Sequence, residues 1–252
     1  MRLALLLVAV VSGSLTGCAA DRAGGIRNEV IVLGMIHGGH RTSASYGIDR
    51  VRQIVGAIEP DYILCEIPPG RLATALAEYR ETGSITESRV SVFPEYVDAI
   101  IPLTREMSFQ LVPCAAWTQE MAQDRREKLA RWKTERADEH AEMQVAQERA
   151  SQTLEAEGYT GDPLRMHTRA YDEIVRQGME PYNRLFNDDL GLGGWDNINA
   201  AHYALIERAL DQHTGEGKRF LITFGAWHKY WFLDELRKRD DIALRSLHEF
   251  IE

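Results

Sequence analysis

The chain has 252 residues, 44% of them hydrophobic and 27% charged, which suffices for one sizeable buried core and argues against a disordered chain. Its formal charge of -9 argues against a phosphate-backbone footprint, and no basic run interleaved with aromatics occurs in the sequence, so nucleic acid is not an expected partner.

Residues 1–17 read as an export signal: a positive start at Met1-Arg2, an apolar core from Leu3 to Val11, then small residues up to Leu15-Thr16-Gly17-Cys18. That tetrapeptide resembles a bacterial lipobox, in which cleavage precedes the cysteine and an acyl lipid such as palmitate is attached to it. The apolar run is too short for a membrane-spanning helix, which needs about 20 residues. The expected organisation is therefore a signal peptide over 1–17, a lipidated Cys18 with a tether to residue 28, and a single domain over 29–252. Membrane attachment through the N-terminal lipid places the protein in the cell envelope, on the periplasmic side where a cell has two membranes. Cys65 and Cys114 then remain in an oxidising compartment, as two buried thiols or one bridge.

Residues 29–33 form a continuous apolar strand, and residues 46–58 place Ile48, Val51, Ile54, Val55 and Ile58 on one helical face that Pro60 terminates. A second strand at 62–65 completes a βαβ unit with parallel strands. Helices are expected at 72–80 and 94–106, and a third strand at 109–113. Residues 118–157 are dense in charge, poor in apolar positions and free of glycine and proline. They predict one long helix or a helical hairpin with a solvated face, since apolar heptads for a coiled coil are lacking. Further helices are expected at 164–176, bounded by Gly178, and at 200–210 after a polar, glycine-rich loop at 187–194. A strand at 219–224, a helix at 230–238 and a strand at 242–247 close the chain. The fold class is α/β: a mostly parallel central sheet with flanking helices and a charged helical insertion over 118–180.

The pattern Gly-x-x-His occurs twice directly after a predicted strand, as Gly34-Met35-Ile36-His37 and Gly225-Ala226-Trp227-His228. Strand ends of a parallel sheet are where ligands bind, and glycine there permits unusual backbone angles, so the two histidines are expected to share one cleft. Imidazole serves as a base near neutrality or as a transition-metal ligand. Glu66 closes an apolar strand, and Arg71 is placed to orient it or to clamp an anionic oxygen. His40, in Gly38-Gly39-His40, is either an extra ligand from a flexible loop or an exposed side chain; His140, His167, His202, His213 and His248 read as structural.

The ordered string 30–37, then 60–66 with Arg71, then 224–228, resembles the TraB/GumN and Tiki-like superfamily, related to erythromycin esterases and ChaN-like lipoproteins. The resemblance implies an α/β domain in which His37, His228 and Glu66 line a common cleft. Its branches imply different chemistry: peptidases using manganese or cobalt, esterases in which histidine activates water, and lipoproteins implicated in haem binding. The family's Arg-Asn or Arg-Asp pair has only a partial match at Gly194-Trp195-Asp196-Asn197; the arginine is missing there, with Arg184 a substitute from the same region.

The leading expectation is a metal-dependent hydrolase of a peptide or ester bond in a peptide or small-molecule substrate. A divalent transition metal (manganese, cobalt or zinc) would be held by His37, His228, Glu66 and Asp196, with Glu66, His37, His228 and Arg71 as the catalytic set. The alternatives are a haem-, metal- or ligand-binding lipoprotein without turnover, in which Trp227, Tyr230 and Trp231 supply walls or an axial oxygen, and a relative without a site that interacts through the 118–157 segment.

Overall fold

A computed structural model describes residues 26–252. The expected signal peptide, Cys18 and most of the tether lie outside the described residues. The domain begins earlier than residue 29, because Ile26 bridges Glu216 and a buried Asn28 opens the first strand.

The elements in chain order are β1 (Asn28–Met35), α1 (Ile48–Ile58), β2 (Tyr62–Cys65), α2 (Leu72–Thr82), a π-helical segment Glu95–Ile100 running into the short α3 (Ile101–Leu103), and β3 (Gln110–Pro113). Then come α4 (Gln119–Glu135), α5 (Ala137–Ala156), α6 (Pro163–Met166), α7 (Arg169–Phe186), α8 (Trp195–Asp211), β4 (Arg219–Gly225), α9 (Lys229–Leu236) and β5 (Ile242–Leu244). All five strands are parallel, in the order β3-β2-β4-β1-β5. The α/β architecture with a parallel sheet and flanking helices is as expected.

Both faces of the sheet are covered, which explains why its strands read as unbroken apolar runs. Alternate residues serve opposite faces: Ile31, Leu33 and Met35 join the core containing α1 and the helical insertion, while Val30 and Val32 join α8 and α9. The parallel register sets the strand ends level. Met35 lies opposite Gly225 and Cys65 opposite Thr223, so His37, Glu66 and His228 all emerge at the carboxyl edge.

The charged segment is a helical hairpin, broken at Arg136, and it packs more closely than a solvated arm would. Trp132, Met143 and Leu154 enter the main core alongside Tyr171, Val175 and Phe186 of α7. Gly178 does not end α7, which continues to Phe186 through Pro181. A Cβ at Gly178 would sit 2.5 Å from the Cβ of Ala150, so the glycine allows α5 and α7 to touch. The expected helix at 94–106 stops at Leu103, and the last strand at Leu244. Cys65 and Cys114 are both free and buried.

Candidate active site

His37 leaves β1 in a left-handed conformation (φ 48°), uncommon for a residue with a Cβ. Two contacts hold it there. Its Nδ1–H donates to Glu95 Oε1 at 2.7 Å, and its Nε2 lies 3.7 Å from Glu66 Oε2. Glu95 is fully buried and its second oxygen has no hydrogen-bond partner, so among the described residues the imidazolium of His37 is the only cation paired with it. Burial of the ring opposes its charge, but the Glu95 bond and the carboxylates of Glu66 and Glu95 outweigh this and raise the His37 pKa above its ordinary 6.5. Glu66, 8% exposed, accepts the Gly225 N–H at 2.7 Å, and burial raises its pKa. Its own N–H is bonded to Tyr96 Oη at 2.7 Å, and that hydroxyl donates to Thr223 O, tying the ends of β2 and β4 together.

His228 is held differently. Its Nδ1–H donates to Asn199 Oδ1 at 2.6 Å. The amide orientation is set independently, because Asn199 Nδ2 donates to Trp195 O at 2.8 Å. This leaves Nε2 of His228 with the lone pair. The ring is stacked between Trp195 (centroids 4.6 Å apart) and Phe232 (6.0 Å). Burial, then the neighbouring His202, His37 and Arg125, hold its pKa well below 6.5.

The two motifs interlock. A Cβ on Gly225 would lie 2.7 Å from His37 Nε2, and one on Gly34 would lie 2.9 Å from Cα and Cβ of Ala226. Neither glycine has a positive φ; the unusual backbone belongs to His37 itself, and each glycine is there for close approach to the other motif. Gly225→Ala is therefore expected to fold, since φ at this position is -47°, while pushing the His37 ring aside. A displacement near 1 Å should cost about 100-fold in any reaction that the ring serves; thermal melting beside activity measurements checks both halves.

His37 and His228 line one cleft of about 810 Å³, walled by Met35, Met166, Met179 and Trp195. The insertion closes it with Gln147, Ser151 and Leu154 of α5, and Arg125 of α4 reaches it too. Other expected members lie elsewhere. Arg71 pairs with Glu87 at 3.3 Å and lines a neighbouring cavity. Asp196 accepts from Trp231 Nε1 at 3.0 Å and lines a separate groove. Arg184 pairs with Glu142 and Glu180 on the surface. Tyr230 Oη is occupied by Trp195 Nε1 at 2.7 Å, whereas Trp227 does line the cleft.

His40 is neither exposed nor free: Nε2 accepts the Ile36 N–H and Nδ1–H donates to Tyr46 O. His167 caps Gly34 N–H in the same manner, and His202 Nδ1 accepts the Ala116 N–H.

Among the described residues, no three His, Cys, Asp or Glu side chains gather as a metal-binding group. Asp196 is turned away to Trp231, so the four-residue manganese, cobalt or zinc centre is not assembled as expected; His37 and His228 each engage a partner through Nδ1, which leaves Nε2 as the nitrogen a metal would take. Comparison of the chain with family models, curated proteins and solved structures finds no match.

Glu95, Asn199 and Arg125 escape sequence reasoning. Glu95 carries a signal: with Ala99 and Leu103 it forms an i, i+4, i+8 stripe whose other members are apolar, and all three are buried.

Proposed function

We propose that the protein is a hydrolase of an ester or amide bond in a peptide or small molecule, held in the cell envelope by a lipid on Cys18. The observation that carries the chemistry is the contrast between two histidines on one cleft: Nδ1 of His37 faces a buried carboxylate, and Nδ1 of His228 faces an amide oxygen. Environments that push two titratable groups apart define an acid and a base. Neutral His228 takes a proton at Nε2 from water as the water oxygen bonds to the substrate carbonyl carbon. Cationic His37 faces the oxyanion that develops and protonates the departing oxygen or nitrogen. Glu95 and Glu66 are positioning residues that keep His37 charged. The superfamily resemblance supports water activation by histidine.

The purified, metal-analysed protein should turn over members of a peptide and ester panel, and His37→Ala and His228→Ala should each abolish most of that turnover without loss of folded protein. Undiminished variants, or stoichiometric manganese, cobalt or zinc whose removal stops the reaction, would overturn the mechanism. The apolar walls of the cleft favour one competing reading, a binding lipoprotein: no turnover together with a Soret shift on adding haem would establish it. Palmitate labelling that Cys18→Ser abolishes tests the anchor.

A further inference from the structure

Beside the histidine cleft lies a second cavity of about 700 Å³, lined by Arg71, Arg89, Arg125 and Arg126 with Trp117 and Thr118 among their neighbours. Four arginines on one concavity stand out in a chain of net charge -9, and among the described residues no acidic residue lines it. Only Arg71 is neutralised, by Glu87. Arg125 is fixed by donating Nε–H to Tyr182 Oη at 2.9 Å, and Arg126 donates to the Ala122 carbonyl. Neither these two nor Arg89 has a carboxylate within ion-pair distance among the described residues. Concave walls of one sign concentrate the field and the counter-charge, and guanidinium groups match the two-oxygen geometry of carboxylate and phosphate. The cavity also opens on the start of α4, where the positive end of a 17-residue helix adds to the same field.

Arg125 lines both cavities. It is a wall they share.

We infer that the arginine-lined cavity binds the anionic group, carboxylate or phosphate, of a ligand whose remaining part occupies the histidine cleft. The substrate class is thereby narrowed to anionic molecules, an assignment that rests on the hydrolase reading only for the fate of the bound molecule and not for its binding.

The test is calorimetric titration of the intact protein, at low ionic strength, with inorganic phosphate and with succinate. At least one should bind saturably, more weakly as salt rises. Arg89→Gln and Arg125→Gln should each weaken binding about tenfold or more, the size of one charge-assisted hydrogen bond, while Arg149→Gln on the exposed face of α5 should not. Which probe binds tells carboxylate from phosphate. Arg89 makes no side-chain hydrogen bond among the described residues, so its variant keeps the test valid if Arg125→Gln fails to fold. His37→Ala should retain binding although it abolishes hydrolysis, which separates failure of this inference from failure of the catalytic proposal. Absence of saturable binding by both probes, or equal weakening by Arg149→Gln, overturns the inference.

Discussion

Glu95→Gln should move the alkaline limb of the pH–rate profile downward. In the native site His37 must be charged, and its raised pKa puts that limb above 6.5. Glutamine keeps an acceptor for Nδ1–H but removes the charge that opposes the desolvation of the ring, so burial wins and the pKa falls. At a pH beyond the limb, every tenfold loss of proton affinity lowers the charged fraction, and with it the rate, about tenfold. Above that limb the variant should therefore be slower, about tenfold for each tenfold loss of proton affinity, and should recover as pH is lowered. The acid limb belongs to His228, which stays neutral to well below 6.5. Asn199→Asp should raise that limb toward neutrality, because a carboxylate at Nδ1 favours the charged ring. An alkaline limb that stays in place in Glu95→Gln would remove His37 as the acid. Loss of the general base in His228→Ala should cost about 10²–10⁴ in kcat/KM at every pH.

Acid should unfold the protein unusually early. His167 and His202 have pKa values pushed down to about 3 by burial, and His228 is also held low. In the unfolded chain each takes up a proton near 6.5. Groups with a depressed folded pKa that bind protons only on unfolding make stability fall as pH drops below 6.5. These three give a slope of up to about 4 kcal/mol per pH unit, and His40, whose pKa burial also lowers, adds in the same direction. Glu66 and Asp172, whose burial raises their folded pKa, bind protons in the native state and offset part of it. The net slope between pH 6 and 5 is therefore below what these histidines give together and still of the sign that lowers stability with acid, against a total stability of about 5–15 kcal/mol. His37 acts in the other direction: its stabilisation is complete below 6.5 and is lost as pH rises through its raised folded value. Urea unfolding from pH 4.5 to 9 should therefore show a maximum near neutrality, and a flat profile between pH 5 and 7 would contradict the neutral, buried state of the three rings.

The strands are legible because a sheet covered on both faces demands continuous apolar residues, and Tyr62–Cys65 falls where its composition places it. The two motif histidines and Glu66 are legible for the same reason, since strand ends are marked by where apolarity stops. Arg71 misleads because nearness in sequence is not nearness in space: after Glu66 the chain turns through Pro68, Pro69 and Gly70 and delivers the guanidinium to Glu87 instead. Gly178 reads as a stop, yet its service is to α5, a partner that no local pattern reveals. Asn199 and Arg125 act from helices whose own sequences require only a polar residue there, so their roles arise from packing alone. The insertion shows its charge in the sequence and hides its function, because few apolar positions anchor it to the core while its small and polar residues face the cleft.

Because β1 lies between β4 and β5, the first strand of the sheet finds both neighbours only in the last part of the chain. A growing or emerging polypeptide thus carries His37 and Glu66 long before the strand that separates and aligns them exists. Pairing across some 190 residues (Glu29 with Arg219 at one end of the register) makes folding slow relative to local helix formation. The proposed acid–base pair therefore assembles only once β4 has been made: products that end before it have half a site, and proteolytic loss of residues beyond 218 removes the other half at once.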